Sequence, residues 1–123
     1  MFYICDECKS VWAKVLNAEV VPNCCGQAML KLKPKQPDAE HLVIIDFSDD
    51  RVRVTVGENS HPMELDHKIE FIALRTRDRI SIKKLTRSKR ASAVFYGVGA
   101  EFKVYIYCSK DGLFCDRTKN KDS

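Results

Sequence analysis

Apolar and polar positions alternate most plainly in "RVRVTV", where Val52, Val54 and Val56 share one face and Arg51, Arg53 and Thr55 the other. A period of two belongs to a strand with one buried side and one wet side. Comparable β-branched and aromatic segments occur at "HLVIIDF", "KIEFIAL", "RISIKKL", "SAVFYGV" and "EFKVYIYC". Together they predict six strands. No convincing amphipathic helix interrupts them, so the pattern predicts a β-sandwich or barrel of about 85 residues. The pattern changes near residue 35. Before it lie four clustered cysteines, the lone Trp12 and the short run "AMLKLK", and "KPKQPD" reads as a linker at Pro34 to Pro37. The expected fold is all-β in two domains, a small metal domain over residues 1–36 and a sandwich over 38–123.

Composition narrows the function classes. Of 123 residues, 45% are hydrophobic and 31% charged, which is the soluble globular range. No apolar run approaches the ~20 residues of a membrane helix, so no membrane partner is expected. The start "MFYICDECKS" lacks the pattern of a secretory signal, and the expected compartment is the cytoplasm. Six cysteines in a reducing compartment point to metal binding before disulfides. The net charge of +4 includes the run "KKLTRSKR", Lys83 to Arg90. It lies between two strand-like segments and reads as a solvated hairpin connection, so no nucleic-acid partner is expected.

The first chemical constellation is "CDEC", with Cys5 and Cys8, followed by "NCCG", with Cys24 and Cys25. Four soft thiolates suit a tetrahedral iron or zinc ion. A zinc knuckle that merely staples a mini-domain too small for its own core satisfies the same pattern. Adjacent cysteines point in opposite directions along an extended chain, so sharing one ion demands a turn there, which Gly26 permits. The second constellation is "HPMELDH", His61 to His67, where Pro62 argues for a loop leading into the strand "KIEFIAL". His41 in "AEH" is the third of the three histidines, and Cys108 ends a strand. Two histidines in one loop with a cysteine elsewhere shift the balance toward a metal.

The segments "YICDECKSVWAKVLNAEVVPNCCGQAMLKL", "EHLVII", "HPMELDHKIEFIAL" and "YIYCSKDGLF", in this order and spacing, resemble the desulfoferrodoxin or superoxide reductase (neelaredoxin) family. The resemblance implies an N-terminal desulforedoxin-like, rubredoxin-type domain with iron in Cys5, Cys8, Cys24 and Cys25, here called centre I. It also implies an immunoglobulin-like β-sandwich with a reactive iron, centre II, whose matching residues are His41, His61, His67 and an axial Cys108. Further implications are one-electron reduction of superoxide to hydrogen peroxide, a rubredoxin-like electron donor and a homodimer. Zinc is a possible substitute metal.

The departures from the family pattern fall on centre II. The family motif has the form "CNxHGLW" and its histidine is the fourth equatorial ligand; here the run is "CSKDGLF", so Asp111 stands in that place. An Asp carboxylate oxygen is bonded to Cγ, as is the Nδ1 that the family uses there, so Asp111 has the same reach. A carboxylate beside the thiolate removes one positive charge from a ferrous site and favours the ferric state, which predicts a lowered reduction potential. The alternative is a solvated turn residue before Gly112 and a degenerate second centre. The family's "EKHVP" places a lysine before the first histidine as a catalytic steering charge; "AEHLV" places Glu40 there and Ala39 before it. A slow or atypical reductase is the expectation, with Lys110 a candidate for the missing cation. Cys115 matches no ligand and reads as a small apolar residue near a strand end. Glu64 and Glu70 are candidates either for orienting histidine rings or for the surface. The rival functions are an electron-transfer or metal-sensing protein that keeps only centre I, and a zinc-ribbon binding module.

Overall fold

The computed structural model describes residues 1–16, 19–57, 62–63, 67–86 and 90–117. Among them every regular element is a strand, twelve in all. The chain divides into two compact units, Met1–Lys33 and Pro34–Ser123.

In the first unit β1 (Phe2–Ile4) is the centre of a three-stranded sheet, flanked by β2 (Val11–Ala13) and β5 (Leu30–Lys31). The hairpin of β3 (Asn23–Cys24) and β4 (Gln27–Ala28) stands apart from that sheet. Its two-residue loop is Cys25 and Gly26, both at positive φ, 54° and 76°. That is the backbone of a type I′ hairpin turn, whose twist suits two antiparallel strands. The turn that adjacent cysteines demand is therefore made by Cys25 as well as by Gly26. Tyr3, Cys5 and Met29 form a small buried cluster with Cys24 against it. So small a cluster is a weak substitute for a hydrophobic core, which is why a unit of this size calls for a staple.

In the second unit β6 (Val43–Ser48), β7 (Arg51–Val56) and β10 (Ser92–Tyr96) make a three-stranded sheet in the order β10-β7-β6. A four-stranded sheet runs β12-β11-β8-β9, from β8 (Ile69–Arg75), β9 (Ile80–Lys84), β11 (Lys103–Cys108) and β12 (Gly112–Arg117). Val52, Val54 and Val56 enter the core with Ile72, Leu74, Phe95, Val104 and Ile106, while Arg51 and Arg53 face water. Burying one such side chain contributes roughly 1.5–3 kcal/mol, so this alternation is what drives the two sheets together. The architecture is the all-β sandwich expected.

Three local readings change. A seventh sandwich strand, β12, occupies residues that read as part of a metal loop. The run from Lys83 to Arg90 is not a hairpin connection, because β9 and β10 belong to different sheets and the chain crosses between them; residues 87–89 lie outside the described residues. The segment read as a linker is bonded to the edge of β12, with the Lys35 amide donating to the Leu113 carbonyl at 2.9 Å and the Cys115 amide to the Lys35 carbonyl at 3.1 Å. Cys115 itself lies within β12, opposite Tyr105, and burial is the main influence raising its thiol pKa.

Candidate metal centres

In the first unit the chain turns sharply after Cys5. The Lys9 amide donates to the Cys5 carbonyl at 2.8 Å, with Lys9 at φ 65°, and the Cys8 amide donates to Cys5 Sγ at 3.5 Å. The β3–β4 hairpin supplies the other two sulfurs, and all four lie within 4.8 Å of one another. Cys8 and Cys24 Sγ are 3.6 Å apart, and Cys24 and Cys25 Sγ 3.9 Å apart. Thiolates about 2.3 Å from a tetrahedral ion would be about 3.8 Å from one another, so the cluster fits one ion of iron or zinc size. No disulfide joins any of the six cysteines.

Charge is unevenly shared in this cluster. Hydrogen bonding from Ser10, whose Oγ lies 3.2 Å from Cys8 Sγ, together with the neighbouring Cys5 and Cys24 thiols, pushes the Cys8 thiol down to about 6. Cys24 is pushed up to about 12 because its proton is held in a bond to Cys8, and Cys25 is raised for the same reason. Cys8 therefore takes a negative charge more readily than Cys24 or Cys25, as expected where like charges crowd together without a cation.

The second cluster joins Nε2 of His41 and of His67, Sγ of Cys108 and Oδ2 of Asp111, again all within 4.8 Å. Cys108 ends β11, where the pairing with β8 slips by one residue: Tyr107 faces Phe71 but Cys108 faces Ile69, leaving Glu70 as the extra residue of a bulge. Bulges bend a strand and re-aim side chains, and this one adjoins the cluster. Three residues, Ser109 to Asp111, then reverse the chain into β12, and Gly112 closes the turn at φ 95°. Ser109 ties this turn to the other side of the site: its amide donates to the Lys68 carbonyl at 2.9 Å and its Oγ accepts from the Lys68 amide at 3.0 Å, next to His67.

Asp111 Oδ2 is 3.2 Å from His41 Nε2, 3.5 Å from His67 Nε2 and 3.6 Å from Cys108 Sγ. Donor atoms about 2.1 Å from one ion would stand roughly 3–3.5 Å apart, so the carboxylate oxygen is close enough to the other three donors to share an ion with them. Two imidazoles, a thiol and a carboxylate mix borderline, soft and hard donors, which suits a first-row transition metal. Cys108 is wholly buried; burial pushes its thiol up, while backbone N–H groups of Asp111 and Lys110 directed at it favour the thiolate.

His41 is 2% exposed and lies flat against Phe114, with centroids 4.2 Å apart and planes 13° from parallel. Asp38 holds its other side. Asp38 Oδ1 accepts from the His41 amide at 2.8 Å and is 2.7 Å from His41 Nδ1. This interaction with His41 is the main reason the Asp38 carboxyl sits below its ordinary value. Sequence reasoning missed both neighbours; the spacing D-x-x-H, with a carboxylate able to bond the amide three residues on, was the available signal for Asp38. Lys35 Nζ donates to the Asp111 carbonyl and lies 5.4 Å from the Phe114 centroid.

Of the remaining expected residues, Glu40 and Glu70 are described and are not among these four. His61 and Glu64 lie outside the described residues. Glu40 is exposed in the turn before His41, and Glu70 pairs with Lys68 at 3.9 Å.

Residues 33–117 match the desulfoferrodoxin family. A desulfoferrodoxin homolog of Methanothermobacter thermautotrophicus is 32% identical over 117 residues, covering 89% of this chain and 92% of that one. The desulfoferrodoxin of Syntrophotalea carbinolica is 31% identical, covering 91% of each. Among solved structures, the superoxide reductase from Treponema pallidum superposes with a TM-score of 0.79 at 22% identity, over 94% of this chain and 95% of that one. The superoxide reductase (1Fe-SOR) from Giardia intestinalis gives 0.56 at 16% identity, over 67% of this chain and 99% of that one. With the family match spanning the whole sandwich and relatives aligned across both units, the chain belongs to the desulfoferrodoxin family.

Proposed function

We propose that this protein reduces superoxide to hydrogen peroxide at an iron centre held by His41, His67, Cys108 and Asp111, with His61 as the further ligand that the sequence offers. The observation that carries the reading is the convergence of two imidazole nitrogens, a buried sulfur and a carboxylate oxygen within 4.8 Å, on a sandwich of this family. When bound, ferrous iron supplies the single electron that, with two protons, converts superoxide to hydrogen peroxide.

The chain's own residues set the conditions for that electron. Cys108 contributes a thiolate from a fully buried position, and the amides of Asp111 and Lys110 favour its charge. Asp111 contributes a second negative charge where relatives of the motif carry a neutral imidazole, which favours the more oxidised metal. Phe114 and Asp38 hold the His41 ring from its face and its Nδ1 edge. Glu40 sets a negative charge on the exposed turn beside His41, so approach of an anion is slowed. Centre I, with Cys5, Cys8, Cys24 and Cys25, holds a second iron as a relay or a staple, with zinc as a substitute. The proposed setting is a cytoplasmic homodimer served by a rubredoxin-like donor.

A second reading is favoured by one observation. The Asp111 carboxylate lies against both His41 and His67, at 3.2 and 3.5 Å, as it would in a metal-free ion pair. In that reading centre II is degenerate and the protein transfers electrons or senses metal through centre I alone. Metal analysis of the purified chain, followed by pulse radiolysis, separates the two. Two irons per chain and a second-order reaction with superoxide support the reductase; one iron and no reaction overturn it.

A further inference from the structure

We infer that Asp38 is a positioning residue for centre II, setting which nitrogen of His41 faces the metal and how strongly that nitrogen donates. The inference rests on the proposal that centre II binds iron.

His41 has two ring nitrogens, and the structure gives each a carboxylate. Asp111 Oδ2 faces Nε2 at 3.2 Å, and Asp38 Oδ1 faces Nδ1 at 2.7 Å. A neutral imidazole carries one proton, and the shorter contact belongs to the ordinary N–H to carboxylate range. Asp38 accepts the proton at Nδ1, which leaves the Nε2 lone pair directed into the cluster. The rotation of the ring about its own axis is restrained independently by its stacking on Phe114 at 4.2 Å. A ring flip would take Nδ1 from Asp38 and turn a carbon toward Asp111.

Asp38 itself is fixed from the backbone. It accepts from the His41 amide at 2.8 Å, so the turn Asp38 to His41 folds around one carboxylate. An exposed acid in a turn would otherwise be solvated and mobile. Here the amide and a ring nitrogen of His41 converge on it.

The electronic consequence follows from charge. An imidazole whose N–H leans on a carboxylate is a stronger donor than one bonded to water or to an amide oxygen. A stronger donor stabilises the ferric state more than the ferrous state. Asp38 thus acts in the same direction as Asp111, through the ring instead of at the ion.

Two variants separate this role from a merely structural one. Asp38→Asn keeps an oxygen able to accept from the amide and the ring but lacks the charge; Asp38→Ala keeps neither. In the full iron-loaded chain, potentiometric titration of centre II should show an upward shift for Asp38→Asn and a larger one for Asp38→Ala. The affinity of centre II for ferrous iron should fall roughly 10- to 100-fold in Asp38→Ala, the range usual for losing such a partner. The spectrum and potential of centre I should not move. Potentials equal to wild type in both Asp38→Asn and Asp38→Ala would overturn the inference, because neither the charge nor the ring contact of Asp38 would then reach the metal. If the unaltered chain takes up no iron at centre II, the proposed function fails first, and iron content alone identifies that case.

Discussion

Asp111 Oδ2 lies 3.2 Å from Nε2 of His41, a separation that serves either an ion pair or two neighbouring ligands of one metal. What distinguishes them is the charge of the centre. With Cys108 and Asp111 both anionic, a ferrous site is neutral, and the ferric state is favoured over that of an all-imidazole equivalent. Replacing Asp111 by His should raise the centre II potential by at least about 60 mV, a tenfold change for a one-electron couple. A potentiometric titration in which Asp111→His lies level with or below wild type would show that Asp111 is not bound.

Centre I should load with a steep dependence on pH. Cys24 is held up to about 12 and Cys25 above its ordinary value, so both are protonated near neutrality, whereas Cys8, at about 6, already carries charge. Metal needs thiolates, so binding must expel the protons of Cys24 and Cys25. Affinity therefore rises with pH and is lost toward acid. Competition titrations with zinc between about pH 7 and 9 should give a slope of two or more in log affinity against pH. A slope near zero would mean the four thiols are already ionised without metal.

Gly112 closes the turn that carries Cys108 and Asp111. It has φ 95°, and a Cβ added there would stand 3.6 Å from Lys35 Nζ. Gly112→Ala should cost about 1–2 kcal/mol from left-handed backbone alone. For a domain of this size that is a fall in Tm of roughly 4–8 °C per kcal/mol. Gly99 meets nothing within 4 Å, so Gly99→Ala is the matched control and should move Tm little. Equal Tm values for the two variants would remove the strain argument.

Charge near the entrance should govern the rate with superoxide. Glu40 is exposed in the turn before His41, and Lys35 donates to the Asp111 carbonyl. Glu40→Lys should raise the second-order rate by about tenfold at low ionic strength, and Lys35→Met should lower it. Both effects should shrink as salt is added, since the Debye length falls to about 8 Å at physiological ionic strength. Pulse radiolysis across a salt series checks this; a salt-independent rate in every variant would mean that neither side chain steers the anion.

The legible parts of this chain were those with short-range repetition. Val52, Val54 and Val56 announced their strand because one face is dry, and Cys5, Cys8, Cys24 and Cys25 announced a thiolate cluster by their spacing. β12 was hidden because Gly112 to Cys115 reads equally well as a loop, and only its register with β11 reveals it. Residues 83–90 looked like a hairpin connection because sequence gives the length of a connection but not the sheet it leads to. Asp38 resembled an ordinary surface acid, since nothing local shows that a buried ring lies above it. The adjacency of Cys24 and Cys25 called for a turn, yet that Cys25 itself takes a left-handed backbone follows only from the hairpin it caps.

The bulge at Glu70 gives chain length a chemical role. Cys108 pairs with Ile69 only because one residue of β8 has no opposite number on β11. Deleting a single residue there would leave all the candidate ligands in the sequence and would exchange the faces of the strand on the His67 side. Protein engineers should find this strand far more tolerant of a changed side chain than of a changed count.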